Sequence, residues 1–439
     1  MKFNRSKNLM KSNRSKNLMK SKYQSWDNPR CEILKAMSKH HPMSKNLCLI
    51  CKGGRLLCGR SCCPLIKKVI IQEPLQNKIR TVMFGKSPSI FVGWKNYPDI
   101  FVGPLTCLDS EKAGISDNPS LLYGANFDEI IKIRSLLVRG MVRQNVREIS
   151  NFSEKNKEIA LSVKPIDIET KFKSLPEFKV TFSPISQPMG PTGELMDLKI
   201  VENPKIPKSV DEVIDENLNA ANTLKILFVE RNFDIYYLIK AFSSGAFGIK
   251  EKRLVPTRWS ITATDDLLGK IFIKEIKEYE KLAEITVFSN EYLDNHFEIL
   301  LIPGKWEFEQ FEAWAPETLW TKGMNDYAIN LEAEYYKGRN DYAIKEGGGY
   351  YAARLAVLEY LRKIKKQARV IIFREIYEGY IMPVGVWEVR ENVRNAFKNK
   401  DRKFAGLNDA LKDIAKYLKV PMREYLKRSE IMVQKRLEI

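Results

Sequence analysis

The segment Lys252 to Asp266 constrains the fold more than any other part of the chain. Pro256 cannot lie inside a helix, because its ring clashes with the carbonyl one turn back. Val255 before it is pushed toward an extended conformation. Beyond the proline the sequence alternates. Trp259, Ile261 and Ala263 fall on one side, Arg258, Ser260, Thr262 and Thr264 on the other. The pattern predicts a strand with one apolar and one polar face. Asp265 then stands where a helix over about 266–281 needs an N-cap. The polar face, led by Arg258, would end at a helix N-terminus, a place suited to an anion. A half-buried strand with a capping Asp satisfies the same pattern without any ligand.

Length allows two or three domains, since the chain has 439 residues. No apolar run approaches the ~20 residues of a membrane span. No apolar stretch follows the basic start, as a secretory signal requires. The expected setting is soluble and cytoplasmic. A net charge of +19 suggests a polyanionic partner. The charge is uneven. Nine Lys and three Arg face only Asp27 and Glu32 in residues 1–47, so the rest of the chain is mildly basic.

That tail opens with a tandem repeat, Asn4–Ser12 recurring as Asn13–Ser21. It is polar, lacks aromatics and cannot build a core, so disorder is expected. It reads as a nucleic-acid-binding arm, or as a duplication or an early coding start, with Met43 a natural beginning. Five of the seven cysteines then crowd between Cys48 and Cys63. Cys48 and Cys51 have the spacing to grip one side of a tetrahedral zinc. Cys58 with Cys62 or Cys63 would close it, and spacing does not choose between those two. Iron–sulfur ligation and a redox dithiol are the alternatives. A structural zinc is the expected occupant.

Further on, Phe84–Trp94 and Tyr97–Pro104 read as short strands broken by Gly and Pro turns. Gly85-Lys86-Ser87 lacks the upstream glycine of a P-loop, because position 80 is Arg80, and Pro88 bars the helix that should follow. Aromatics beside Lys86 and Lys95 suit either base stacking or a core. Phe127 to Ser150 predicts a helix, with Lys132, Arg139, Arg143 and Arg147 near one face, suited to phosphate or simply solvated. Residues 322–336 and 337–351 form a second duplication, with Asn-Asp-Tyr-Ala-Ile in both copies. Gly347-Gly348-Gly349 precedes a predicted helix over 350–366 and suits an anion cradle or a close packing contact. Strands are expected over 283–288, 296–302, 370–374 and 380–384. Arg374, Glu375, Glu388 and Arg390 are expected to pair near the Pro256 segment.

Several of these stretches together resemble the archaeal Nre family of DNA repair proteins, with its NreA and NreB branches. They are the cysteine cluster, Phe84-Gly85 with Ser87-Pro88 and Phe91-Val92-Gly93, Leu254–Asp266, Glu346–Ala353 and Arg374–Pro383. The resemblance implies Cys63 rather than Cys62 as the last ligand, giving Cys48, Cys51, Cys58 and Cys63. It implies a role in DNA damage repair, with a sliding clamp as partner through a C-terminal peptide. Gln434 and Leu437 match that peptide, but the paired aromatics that anchor it are missing, so weak contact is expected.

The expected architecture is α+β, mixed sheets with packed helices plus an N-terminal cysteine zinc knuckle. Its expected parts are a basic tail (1–47), the knuckle (48–66), two α+β domains (67–208 and 209–425) and a C-terminal tail (426–439). DNA phosphates would meet Arg139, Arg143, Arg147, Arg253 and Arg258. An alternative is an enzyme acting on a nucleotide or nucleic acid, with Arg258, Thr262, Asp265 and Asp266 as its site.

Overall fold

The computed structural model describes residues 55–56, 63–178, 187–249, 252–316, 318, 320–321 and 324–433. Cys48, Cys51, Cys58 and Cys62, the first repeat, and Gln434 and Leu437 lie outside these residues.

Two mixed six-stranded sheets carry the chain. A helix α1 (Pro64–Gln76) leads into the first sheet, built from β1 (Val82–Ser87), β2 (Ile90–Val92), β3 (Asp99–Cys107), β4 (Leu137–Asn145), β5 (Ile166–Phe172) and β6 (Thr192–Ile200). Their order is β1-β5-β6-β4-β3-β2, with β4 and β6 parallel and the other pairs antiparallel. α2 (Phe127–Ser135) and α3 (Asn151–Leu161) flank β4 in sequence. Alternation sets the two faces. Ile100, Val102, Val138, Ile168 and Leu198 pack with Ile159 and Ala160 of α3, while Phe101 and Phe84 point away.

The second sheet runs β10-β9-β11-β8-β7-β12. Its strands are β7 (Ile285–Tyr292), β8 (Asn295–Pro303), β9 (Glu307–Trp314), β10 (Ala328–Glu334), β11 (Ala368–Ile376) and β12 (Arg402–Phe404). Only β9 and β11 pair in parallel. On one face lie α4 (Ile235–Ser243), α5 (Thr257–Ile276), α6 (Gly348–Ile364) and α7 (Trp387–Ala396). On the other lie α8 (Leu407–Ile414) and α9 (Met422–Leu426), which bring Leu411, Ile414 and Tyr425 onto Ile371 and Phe373. Covered on both sides, β9 is buried along its whole length although it reads Glu-Phe-Glu-Gln-Phe-Glu-Ala-Trp. Its carboxylates survive there because partners meet them. Glu309 accepts the backbone N–H groups of Glu430 and Ile431 at 2.9 and 3.0 Å.

The mixed α+β class is as expected, and three local expectations need correction. First, the Pro256 segment is not a strand. Pro256 is the N-cap of α5, and its carbonyl accepts the N–H groups of Trp259 and Ser260 at 2.8 and 2.9 Å. A proline immediately ahead of a helix costs nothing, because no helical hydrogen bond needs its missing N–H. Trp259, Ser260, Thr262, Thr264, Asp265, Leu268 and Gly269 are all buried, so packing on several sides outweighs the apparent alternation. Asp265 is therefore mid-helix and caps nothing. Second, the helix from Phe127 ends at Ser135, and Leu137–Asn145 enters the sheet between β3 and β6. The β-branched Val138 and Val142 suit a strand, and pairing on both sides overrides the helical spacing. Third, residues 380–384 form no strand.

Candidate nucleic-acid interface

Arg139, Arg143 and Arg147 were placed on one face by a spacing of four, and that spacing keeps residues on one face of a strand as well. Arg139 and Arg143 stand on the outer face of β4, opposite Leu105 and Phe101 of β3. Arg147 follows the strand and is exposed. Each of the two strand arginines has a ring as neighbour. The Arg139 guanidinium lies 3.8 Å from the centre of the Phe91 ring. Burial pulls its pKa down to about 10, so it stays charged at neutral pH. Its Nε meets no acceptor among the described residues. Arg143 is exposed beside Phe101 and has no ion-pair partner among the described residues.

Arg258 reaches the same end of the sheet from a distant part of the chain. The start of α5 is pinned to the edge strand β2, where the Val92 N–H donates to Thr257 Oγ1 at 3.0 Å. One residue later, Arg258 is exposed and sits 5.7 Å from the Trp94 ring centre. Gly93 lies against Arg139, since a Cβ there would stand 3.4 Å from Arg139 Nη2. The Tyr97 ring packs at 4.9 Å on Trp259, holding the 93–98 loop against α5. The Leu254 N–H donates to the Val146 carbonyl at 2.9 Å, which sets the backbone of Arg253 beside that of Arg147. The five nominated arginines thus come from two segments that meet along one seam.

The rest of the outer face differs. Across β1, β5 and β6, Lys86 pairs with Asp167 at 3.1 Å, Lys199 with Glu169 at 3.2 Å and Lys173 with Glu194 at 3.5 Å. That half is neutralised by its own carboxylates, whereas Arg143 at the β2–β3–β4 end has no ion-pair partner among the described residues.

The alternative site does not assemble. Consecutive helical residues diverge by about 100°, and Asp265 and Asp266 turn to different helices. Asp265 pairs with Arg390 of α7 and Asp266 with Arg354 of α6, both bonds at 2.6 to 2.7 Å. Thr262 is buried where α5 meets Gly348. Arg258 is two turns away from both carboxylates. Cys63, the one described member of the nominated zinc set, is half-buried at the start of α1. No group of three or more metal-ligating side chains occurs among the described residues.

Residues 57–321 match the family model described as Archaeal Nre, N-terminal, and residues 334–438 match Archaeal Nre, C-terminal. The chain belongs to the archaeal Nre family. DNA repair protein NreA of Archaeoglobus fulgidus is 37% identical over 381 residues, 83% of this chain and 92% of the relative. DNA repair protein NreB of the same organism is 35% identical, over 88% of this chain and 96% of its own length. NreA of Haloferax volcanii is 32% identical, over 79% of this chain and 85% of its own. No solved structure matches the chain.

Three of the stretches that carry the Nre resemblance, Leu254–Asp266, Glu346–Ala353 and Arg374–Pro383, pack together around the second sheet. Arg374 of β11 donates to Glu312 at 2.6 Å, to Asn295 at 2.6 Å and to Glu388 at 3.3 Å. Two of the three glycines at the start of α6 serve this packing. A Cβ on Gly349 would stand 2.7 Å from Glu312 Oε1, and one on Gly348 3.0 Å from Val386. Glu346 is fully buried, and neither of its carboxylate oxygens has a partner among the described residues. Burial first, then Glu312 and Glu332, push its carboxyl well above the usual range. The ion pairs expected near the Pro256 segment form with other partners. Arg374 pairs with Glu312 and Glu388, and Arg390 pairs with Asp265. Glu375 instead accepts from the Val420 N–H and from Tyr425 on the far face, so all are interior struts. The signal available in the sequence was the density of paired acids and arginines on otherwise apolar elements.

Proposed function

We propose that this protein is a DNA-repair factor that holds DNA against the β2–β3–β4 end of its first sheet. The names of its relatives support the repair role. One observation carries the DNA contact: Arg139, Arg143 and Arg258, drawn from two distant segments, gather at one end of the sheet, each beside an aromatic ring. Arg147 and Arg253 extend the strip along the seam. Guanidinium groups grip phosphate through paired donors, and the neutralised half of the sheet gives a bound strand no reason to shift there.

The same reading includes a structural zinc held by Cys48, Cys51, Cys58 and Cys63. Four thiolates are the donor set of a closed structural site, and Cys63, with no disulfide among the described residues, offers one of them. Bound zinc would cross-link a segment too short for its own core. The reading also places the protein in the cytoplasm. A sliding clamp would be a weak partner through Gln434 and Leu437. No helix among the described residues is long and apolar enough to cross a membrane.

The test is binding of the full chain to labelled DNA across a salt series. Affinity is expected to fall steeply with salt. Each of Arg143→Ala and Arg258→Ala should lower the slope of log K against log salt by about 1. A flat salt response, or variants indistinguishable from wild type, rejects the reading.

A further inference from the structure

We infer that the DNA held at this surface is single-stranded, with unpaired bases stacked on Phe101 and its neighbouring rings. The inference rests on the proposed DNA contact and narrows it to one substrate class. Phe101 projects from β3 on the outer face, between inward-pointing Ile100 and Val102, and keeps 38% of its surface exposed. Its cross-strand neighbour is Arg143. Phe91 lies on the adjacent strand under Arg139, and Trp94 follows two residues after β2 under Arg258. Three rings and three guanidinium groups are therefore gathered at this end of the sheet, with Phe101 and Arg143 its exposed pair.

This is not a surface shaped for a duplex. In a duplex the bases are stacked on one another and the outside is phosphate, so an exposed Phe beside the cations has nothing to cover it. A single strand offers both faces of the contact: a base for the exposed Phe101 ring and a phosphate for Arg143 beside it. The rest of the sheet supplies a control. Phe84 is exposed still further, at 66%, but its strand neighbour Lys86 is tied to Asp167 and Glu202. Phe101 differs in that its neighbour Arg143 has no ion-pair partner among the described residues. The chemistry reads no particular base, because every base has a π-face.

The experiment uses the full chain with a labelled oligo-dT, a duplex of equal length and the matching single-stranded RNA, followed by fluorescence anisotropy. Wild type is expected to favour oligo-dT over the duplex by roughly tenfold or more. Phe101→Leu keeps an apolar side chain but removes the π-face. It should lose roughly tenfold in oligo-dT affinity, with duplex binding and salt slope unchanged. Phe101→Trp should retain or strengthen oligo-dT binding, which separates stacking from misfolding, and Phe84→Ala should change nothing. Equal or tighter duplex binding, or an unaffected Phe101→Leu, overturns the stacking platform. If Arg143→Ala still weakens duplex binding in that case, the cationic reading survives alone. Tighter binding to RNA overturns the assignment to DNA. No binding to any of the three overturns both readings together.

Discussion

Arg390 Nη2 reaches both carboxylate oxygens of Asp265, at 2.7 and 2.6 Å, and neither side chain is touched by solvent. This pair joins α5 to α7 across the largest core. Burying two ions is costly, and removing one partner leaves the other uncompensated. Asp265→Ala is therefore expected to destabilise the protein by about 3–5 kcal/mol. Replacing both residues by Leu should recover much of that loss. Guanidinium unfolding checks both. A cost below ~1 kcal/mol for the single change would remove the pair from any account of stability.

Glu388 should tie stability to pH. Burial lifts its carboxyl from 4.5 to about 7, although Arg374 acts in the opposite direction. Between those values the native state keeps a proton that the unfolded chain has released. The contribution is thus fully present below pH 4.5 and is lost as pH rises through 7. A gap of this size is worth about 3 kcal/mol. Glu388→Gln should abolish that part of the slope. Denaturant midpoints of wild type and variant between pH 5 and pH 8 would show the two curves separating if this is correct.

Glu346 makes the same argument without a cation of its own. Burial first, then Glu312 and Glu332, raise its carboxyl well above the usual range, so a neutral amide is a close substitute. Glu346→Gln is expected to melt within a few degrees of wild type near neutrality and above it in alkali. The folded pKa is raised, so the wild-type contribution drains away as pH climbs, and the amide has no proton to lose. Scanning calorimetry at neutral and alkaline pH tests the sign. A large loss at neutral pH would mean that the carboxyl is ionised and needed.

Zinc gives the fourth prediction. Purified full chain should carry about one equivalent of zinc. Cys48→Ser and Cys63→Ser should each lose it, and Cys62→Ser should keep it. Elemental analysis decides this without reference to activity. Metal retained in Cys63→Ser would reassign the fourth ligand.

The fold class and most elements were legible in residue pattern because their periodicity is local. What the chain does with Pro256 was not. The alternation from Trp259 to Thr264 fits a strand, and only burial on several sides of α5 selects the helix. The duplicated pentapeptide shows the limit most directly. Asn325–Ile329 runs into β10 against β9, whereas Asn340–Ile344 forms no strand and turns into the approach to α6. Identical residues adopt different backbones because their neighbours differ. Arg139 and Arg143 share a face despite the wrong secondary structure, because four-residue spacing preserves a face in both helix and strand. The buried acids of β9 had no local signature, since their partners lie on β11 and on the segment after α9.

The hydrogen bond from Val92 to Thr257 has a consequence beyond anchoring a helix. Arg143 belongs to the first half of the molecule and Arg258 to the second, so neither half owns the grip. This latch, with the Leu254 to Val146 bond, keeps Arg258 near the end of β4. Any event that loosened the start of α5 would carry Arg258 away from Arg143 and weaken the proposed DNA contact, with no residue of that contact itself altered.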